Sequence, residues 1–331
     1  MGPADIQENF FRQIKQNLPA YLSLADEVAS LLNISHDSAY RRIRGEKSLA
    51  LDEVHLLATH YSISLDNFMN IRSENVVFSG NLIDREKYSL ENYLRQIIAQ
   101  LSMIQQAQHK ELFYMSKDIP VFHNFMFPEL ACFKFYWWSR YNLNDPRFNK
   151  GQFLIDDFME VFNKFGAQIA ELYLNIPCTE IWNEDCINQI LRQVDFYRKT
   201  KIFQSRNDVI IIYECLEKLI DHIEQQVESG YKFPYGKPSL SNSVKYNVFI
   251  NEFLLGDNAV AVEINDRKFV FLNHSVINYI MTENKKFVDY VFETIYMLLK
   301  KSTLISEVGE KDRQLFFQNM HQKIAEKKKL V

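Results

Sequence analysis

The sequence predicts a mainly α protein: five short N-terminal helices, then a large helical region with a small antiparallel β meander. Three observations predict it. Apolar residues recur at helical spacing over most of the chain. Glycine and proline are scarce, nine and eight in 331 residues, which disfavours a turn-rich β protein. β-branched and aromatic runs separated by turn residues gather near 244–273.

The elements follow in order. "DIQENFFRQIKQNL" places Ile6, Phe10, Ile14 and Leu18 on one helical face. "SLADEVASLL" does the same with Leu24, Val28, Leu31 and Leu32. "NIS" breaks the pattern, and Ser35 is a good N-cap for the next helix. That helix runs to Arg44 and stops at Gly45, suited to a left-handed position after a helix end. "LALDEVHLLATHYSI" forms a fourth helix, with Leu51, Val54, Leu57 and Ala58 inward, and Ser64 caps a short fifth. "RSENVVFSGNL" interrupts the periodicity, so domains are placed at 1–75 and 76–331. Beyond it, "LENYLRQIIAQLSMIQQAQ" reads as one long amphipathic helix, with others near 150–174, 183–200 and 206–228. "DIPVFHNFMFPELACFKFYWWSRY" is too apolar for a solvated loop and reads as mostly buried helix. Its segment Phe133 to Tyr141 reads as core packing, with a ligand pocket or a dimer interface as alternatives. Residues 231–243, rich in Pro, Gly and Ser, read as a linker or long loop. "YNVFINEFLL", "AVAVEI" and "KFVFL" make the meander, with "GDN" and "NDR" as turns. Helices at about 285–301 and 310–328 close the chain.

Composition excludes several classes. The chain is 47% hydrophobic and 24% charged, ordinary for a soluble globular protein. The N-terminus has no basic segment followed by an apolar run, and the apolar run in "DVIIIYECL" is too short to span a bilayer. A cytoplasmic protein without membrane association is expected. Cys132, Cys178, Cys186 and Cys215 form no Cys-x-x-Cys pair and have no histidine cluster beside them, so reduced, buried thiols are expected. His55 and His60 lie five apart, the wrong spacing for a helical metal pair. Asp156 and Asp157, and the acids at Glu184 and Asp185, point in different directions on a helix and complete no site. With no phosphate loop, Gly-x-Ser-x-Gly or His-Glu-x-x-His, neither enzyme activity nor any catalytic residue, cofactor or metal is expected.

The informative stretch is "LNISHDSAYRRIRGEK", which packs three arginines into four positions of a chain with net charge −4. A helix, a three-residue turn and a second helix hold that second helix at a steep angle, ready for the DNA major groove. Ile34, Ala39 and Ile43 supply its inward face, and small Ala39 lets two helices approach closely. His36, Asp37, Ser38, Arg41 and Arg42 are left outward or flanking, while Arg44 and Lys47 at the helix end suit phosphates. Arginine can bridge guanine O6 and N7, a contact worth roughly 1–3 kcal/mol of discrimination. Asp37 complements the helix dipole and can accept from cytosine N4. With the cap Ser35, these eight residues are the candidate DNA contacts, and double-stranded DNA is the expected partner. Residues 1–72 hold seven basic and nine acidic residues, so the domain carries about −2 while its basic charge sits on one element. Modest non-specific affinity and a need for dimers follow.

Over Leu24 to Met69 the chain resembles the lambda-repressor-like (XRE-type) helix-turn-helix domains. It looks closest to the BetR-like branch, where an "IS-x-DSAYRR-x-RGE" core precedes "L-x-x-E". Two positions depart from the general pattern: Asn33 stands where Gly is frequent, and Ala25 where a phosphate-binding Gln is frequent. The resemblance implies a five-helix DNA-binding domain whose third helix makes base and backbone contacts. The remainder, about 80–331, looks only loosely like the C-terminal regions of Bacteroidetes-type regulators. By that resemblance the chain is a sequence-specific transcriptional regulator, a homodimer whose C-terminal region dimerises and senses an effector ligand or protein. The second reading is a helical protein- or peptide-interaction scaffold localised by its N-terminal domain.

Overall fold

A computed structural model of the chain describes residues 3–18, 22–61, 63, 65–69, 76–80, 89–149, 151–239, 243–253, 256, 258–275 and 277–331. It divides into two compact units, Met1–Val77 and Phe78–Val331.

The first unit holds α1 (Pro3–Asn17), α2 (Leu24–Leu32), α3 (His36–Ile43), α4 (Leu51–His60) and α5 (Leu65–Met69). Each of the first four sends residues at helical spacing into one core. Phe10 and Ile14 come from α1, Val28 from α2, Ala39 from α3, and Leu57 and Ala58 from α4. Leu51, expected inward, is 83% exposed. It is the first residue of α4, and helical side chains lean toward the N-terminus, so it projects past the start of the helix. The cap expected at Ser64 lies outside the described residues.

The second unit overturns the expected fold class. Its strands are β1 (Ser79–Gly80), β2 (Lys110–Met115), β3 (Cys178–Trp182), β4 (Tyr246–Ile250), β5 (Ala259–Ile264), β6 (Arg267–Asn273), β7 (Tyr279–Thr282) and β8 (Thr303–Leu304). Among the described residues they form one eight-stranded sheet, in the order β1-β7-β6-β5-β2-β3-β4-β8. β2 and β3, and β3 and β4, pair parallel, and the other neighbours are antiparallel. This is an α/β fold with a mixed sheet, not a mainly α protein with a small meander. β3 is buried at all five positions, so it shows no polar-apolar alternation to read. β4, read as the first meander strand, does not pair with β5, because β2 and β3 lie between them. The meander runs instead through β5, β6 and β7 to β1. Asn265, at the β5–β6 turn, takes the positive φ of 49° that the tight reversal needs.

The helices are α6 (Leu90–Gln106), α7 (Val121–Asn124), α8 (Pro128–Trp137), α9 (Asp156–Val161), α10 (Ala167–Leu174), α11 (Asn188–Lys199), α12 (Arg206–Ser229), α13 (Lys285–Lys300) and α14 (Glu310–Lys328). The helices expected over 90–108 and 206–228 thus form at Leu90–Gln106 and Arg206–Ser229. A π-helical turn over Trp138–Asn142 extends α8, and another over Phe162–Gly166 joins α9 to α10. The two-residue period of the strands sorts side chains between two layers. Leu112, Tyr114, Trp182, Val262 and Phe271 face the large helical layer. Phe113, Ile181, Ala261 and Val270 face α13, through Val288, Val291, Phe292 and Ile295.

Most of the aromatic segment from Phe133 to Tyr141 is core, with Phe133, Phe135 and Tyr136 fully buried, while Tyr141 is 46% exposed and Lys134 and Trp138 line a cavity. Lys232 and Phe233, expected in a linker over 231–243, belong to the interior. The Phe233 carbonyl accepts from Gln226 Nε2 at 2.7 Å, and Lys232 Nζ donates to the carbonyls of Tyr173 and Ile176 at 3.1 Å each. A Pro- and Gly-rich composition signals turns but not exposure. All four cysteines are free and buried. No helix among the described residues is long and apolar enough to cross a membrane.

One buried carboxylate joins the sheet to the helical layer. Glu180, in the middle of β3, is 0% exposed. Its oxygens accept from Trp182 Nε1 at 2.7 Å, Tyr246 Oη at 2.8 Å and Tyr173 Oη, and His123 Nε2 lies 3.2 Å from both. Burial alone would raise its pKa. The opposing pull of His123, with Lys232 and Tyr173, holds it at about 2. A carboxylate depressed in the folded state stabilises the fold above its ordinary range and loses that contribution as pH falls through the folded value. Acid titration followed by circular dichroism is therefore expected to show stability falling between pH 4.5 and about 2. Urea unfolding of Glu180→Ala is expected to show a loss of about 3–5 kcal/mol, since it strands the donors that the carboxylate satisfies.

Candidate nucleic-acid interface

The turn between α2 and α3 is built by three residues. Asn33 takes the left-handed conformation, φ 53° and ψ 48°, and ends α2. Ile34 N–H then returns to the Ala29 carbonyl at 3.0 Å, closing the helix end. Ser35 starts α3, its Oγ accepting from Ser38 N–H at 3.3 Å. Ala39 is fully buried against the core of the first unit, and Ile34 and Ile43 pack partly buried beside it. The inward face is the one that the periodicity predicts.

The outward face differs from expectation at one residue. Arg42 is only 5% exposed. Its Nη2 donates to Glu53 Oε1 at 2.6 Å and its Nε to Glu53 Oε2 at 3.0 Å, a two-pronged pairing, and Nη1 reaches the Ser38 carbonyl at 3.3 Å. Glu53 Oε2 also accepts from Ala50 N–H at 3.0 Å, capping α4. The Arg42 bond holds the Glu53 carboxyl below its ordinary pKa, against an opposing push from burial. Arg42 therefore pins α3 to α4 and is withdrawn from the outward set. Position within a charge run does not say which arginine turns in. A carboxylate eleven residues away, on the next helix, decides it.

The other candidates stay at the surface. His36, Asp37, Arg41, Arg44 and Lys47 are exposed, as is Ser35, and Ser38 is half-buried. His36 Nε2 lies 2.7 Å from Asp26 Oδ1 on α2, and Arg44 Nη1 lies 3.8 Å from Glu46. Both are exposed pairs of small energetic weight.

Two residues outside the candidate set belong to this surface. Tyr40, 43% exposed, sits between His36 and Arg44 at four-residue spacing. Its ring centroid is 4.8 Å from that of His36 and 5.7 Å from the Arg44 guanidinium carbon. The spacing that puts 36, 40 and 44 in one row was available to place it. Gln7 of α1 had no such signal. Its Nε2 donates to the carbonyls of Arg42 at 2.6 Å and Lys47 at 2.8 Å, and its Oε1 accepts from Leu49 N–H at 2.9 Å. One side chain from forty residues upstream thus shapes the loop that presents Arg44 and Lys47. Gly45, at φ 72°, completes that loop.

The result is a short helix held from behind by apolar contacts, from one side by Arg42–Glu53, and at its end by Gln7. No metal-binding cluster of His, Cys, Asp or Glu occurs among the described residues. No protein-family model, curated protein or solved structure matches the chain.

Native-state hydrogen exchange at the α3 and α4 amides tests the pin. Arg42→Ala is expected to lower local stability by about 2–4 kcal/mol, because Glu53 is left without its partner. Arg41→Ala is expected to change it by less than about 0.5 kcal/mol. A cycle with Glu53→Ala should show coupling above about 1 kcal/mol, and additive losses would dismiss the pin.

Proposed function

We propose that the chain is a sequence-specific DNA-binding transcriptional regulator of the lambda-repressor-like (XRE-type) helix-turn-helix kind, in its BetR-like branch, reading the major groove with α3. One observation carries the reading. α3 buries Ala39 and Arg42 while leaving His36, Asp37, Tyr40, Arg41 and Arg44 outward on a rigidly held helix that follows a three-residue turn. An α-helix fits the major groove, and a base-reading side chain needs a backbone that does not move when the side chain docks.

The roles follow from position. Arg41, in mid-helix and exposed, is the base reader, with guanine as its preferred partner. Asp37, one turn earlier, suits cytosine N4. Arg44, Lys47 and the Tyr40 hydroxyl reach phosphates on either side of the groove. Ser35 and Ser38 set the start of the helix, and Arg42 positions it without touching DNA. The unit's charge of about −2 over residues 1–72 makes a single copy a weak binder, which supports a homodimer. Two-fold symmetry then calls for a palindromic site with half-sites about one or two helical turns apart, roughly 34 Å per turn.

The test uses the full chain and a duplex recovered by selection from random sequence. Arg41→Ala is expected to weaken binding about 5- to 100-fold and to relax preference at one base pair. Arg44→Ala and Lys47→Ala should weaken binding to all sequences alike, each flattening the salt dependence by about one ion. Undiminished binding by an Arg41→Ala, Arg44→Ala double variant would show that α3 is not the reading element.

A further inference from the structure

The second unit contains a cavity of about 390 Å³ between the sheet and the helical layer, a size usual for small-molecule sites. Its long walls are apolar, lined by Ile97, Leu101 and Ile104 of α6 and by Val260 and Val262 of β5. Folded interiors are packed to near-crystalline density, so an opening of this size stands out. One end is polar, and the sheet topology builds it. Met115 at the end of β2 pairs with Ala259 at the start of β5, which pairs with Leu272 near the end of β6. The residues just beyond these positions, Lys117, Asp118, Asn258 and His274, all line the cavity. Lys134 of α8 and Gln189 of α11 join Asp118 there, since the three also line an adjoining opening of about 30 Å³.

This end offers donors whose companion acceptors are already engaged. Lys134 Nζ donates to Gln193 Oε1 at 2.8 Å, and its other two N–H groups have no partner among the described residues. The same bond takes the oxygen of Gln193 and leaves its amide nitrogen, which also has no partner among the described residues. Gln193 is 6% exposed and lines the cavity, and that nitrogen is not sealed off. Asn258 Oδ1 accepts from the Lys117 and Asp118 amides at 2.7 and 3.4 Å, which leaves its nitrogen as a further donor. The carboxylate of Asp118 is engaged too. Gln189, with its amide nitrogen turned to Asp118, donates to both carboxylate oxygens at 2.8 Å. Charge points the same way. The charged residues of the lining are Lys117, Lys134 and Asp118, two cations to one anion, and His274 adds to the positive side when protonated. Burial lowers the Lys134 ammonium to about 8, so it remains charged at neutral pH.

We propose that this cavity binds a small amphipathic carboxylate, its apolar body along α6 and its head accepting from Lys134 and Gln193. A monoanion matches the one unmatched positive charge of the lining, and its oxygens fill N–H groups that an apolar ligand would leave without partners. A cationic head would add a third positive charge and bring only donors to a donor-rich end. A neutral amide head accepts but leaves the charge unmatched. The site stands on the second unit alone and does not depend on DNA binding, and only its role as an effector site rests on the regulator reading.

Calorimetric titration of the full chain at neutral pH, without DNA, with octanoate, octanamide and octylamine tests it. These probes share one tail length and differ in the head. Octanoate is expected to saturate with a Kd near or below about 1 mM, as suits a ligand of its size, and to bind more tightly than either other probe. Lys134→Met is expected to weaken octanoate about 10- to 100-fold, the worth of one hydrogen bond to a charged group, and to erase its advantage over octanamide. Gln193→Leu, which keeps the ammonium, should weaken octanoate by about three- to tenfold and preserve that advantage. Circular dichroism shows whether each variant is folded, and the ranking of the three probes on the unaltered chain needs neither variant. No saturable octanoate binding, or undiminished binding by folded Lys134→Met, overturns the site. Tighter binding of octanamide or octylamine overturns the anionic head. None of these results touches the DNA assay, which reads a different unit.

Discussion

The second unit is organised by a charge that cannot reach water. Glu180 sits on β3, and its parallel neighbours β2 and β4 close both edges of that strand. Placing a carboxylate there costs several kcal/mol unless its lone pairs are filled. They are filled by groups from four elements: His123 of α7, Tyr173 of α10, Trp182 of β3 itself and Tyr246 of β4. Each donor must be in position for the charge to be tolerated, so α7 and α10 are tied to the sheet in one register. Lys232 adds a second buried polar group, its Nζ donating to the Tyr173 and Ile176 carbonyls and lying 3.4 Å from the Tyr173 ring centroid. Apolar contacts would tolerate small shifts of a helix across the sheet, whereas this network does not. The cavity beside α6 borders the same sheet face.

The first unit uses the same device at smaller scale. Glu53 is the shared acceptor, with Arg42 of α3 and the Ala50 amide at the head of α4 as its donors. Here the pairing sets an angle between two helices and so the direction in which α3 faces. Gln7 does for the following loop what Arg42 does for the helix. The exposed side chains that would meet DNA depend on partners that would never touch it.

Much of the N-terminal unit was legible in the sequence because its signals are local. Asn33, Ser35 and Gly45 mark the turn, the cap and the stop through their own backbone preferences, and Ala39 lies on the inward face by periodicity. The burial of Arg42 was not legible, since its cause is Glu53 on another helix. Tyr40 was legible in principle from its place in the 36–40–44 row, and Gln7 was not. In the second unit the long helices α6 and α12 followed from repeated apolar spacing, and the structure adds their Ser89 and Ser205 caps. β2 and β3 did not follow. Strands buried on both faces lose the alternation that identifies a strand, and "CTEIW" carries a glutamate that argues against a buried one.

Local chemistry along the chain therefore settled where most helices begin and end, where the N-terminal turn lies, and which short helix carries the basic charge. It did so because capping, periodicity and left-handed turn positions act within a few residues. The order of the eight strands, the inward turn of Arg42, the donors around Glu180 and the cavity beside α6 were decided by the folded chain alone. Each depends on groups far apart in sequence, whose meeting is set by burial and hydrogen-bond satisfaction over the whole unit rather than by any local preference.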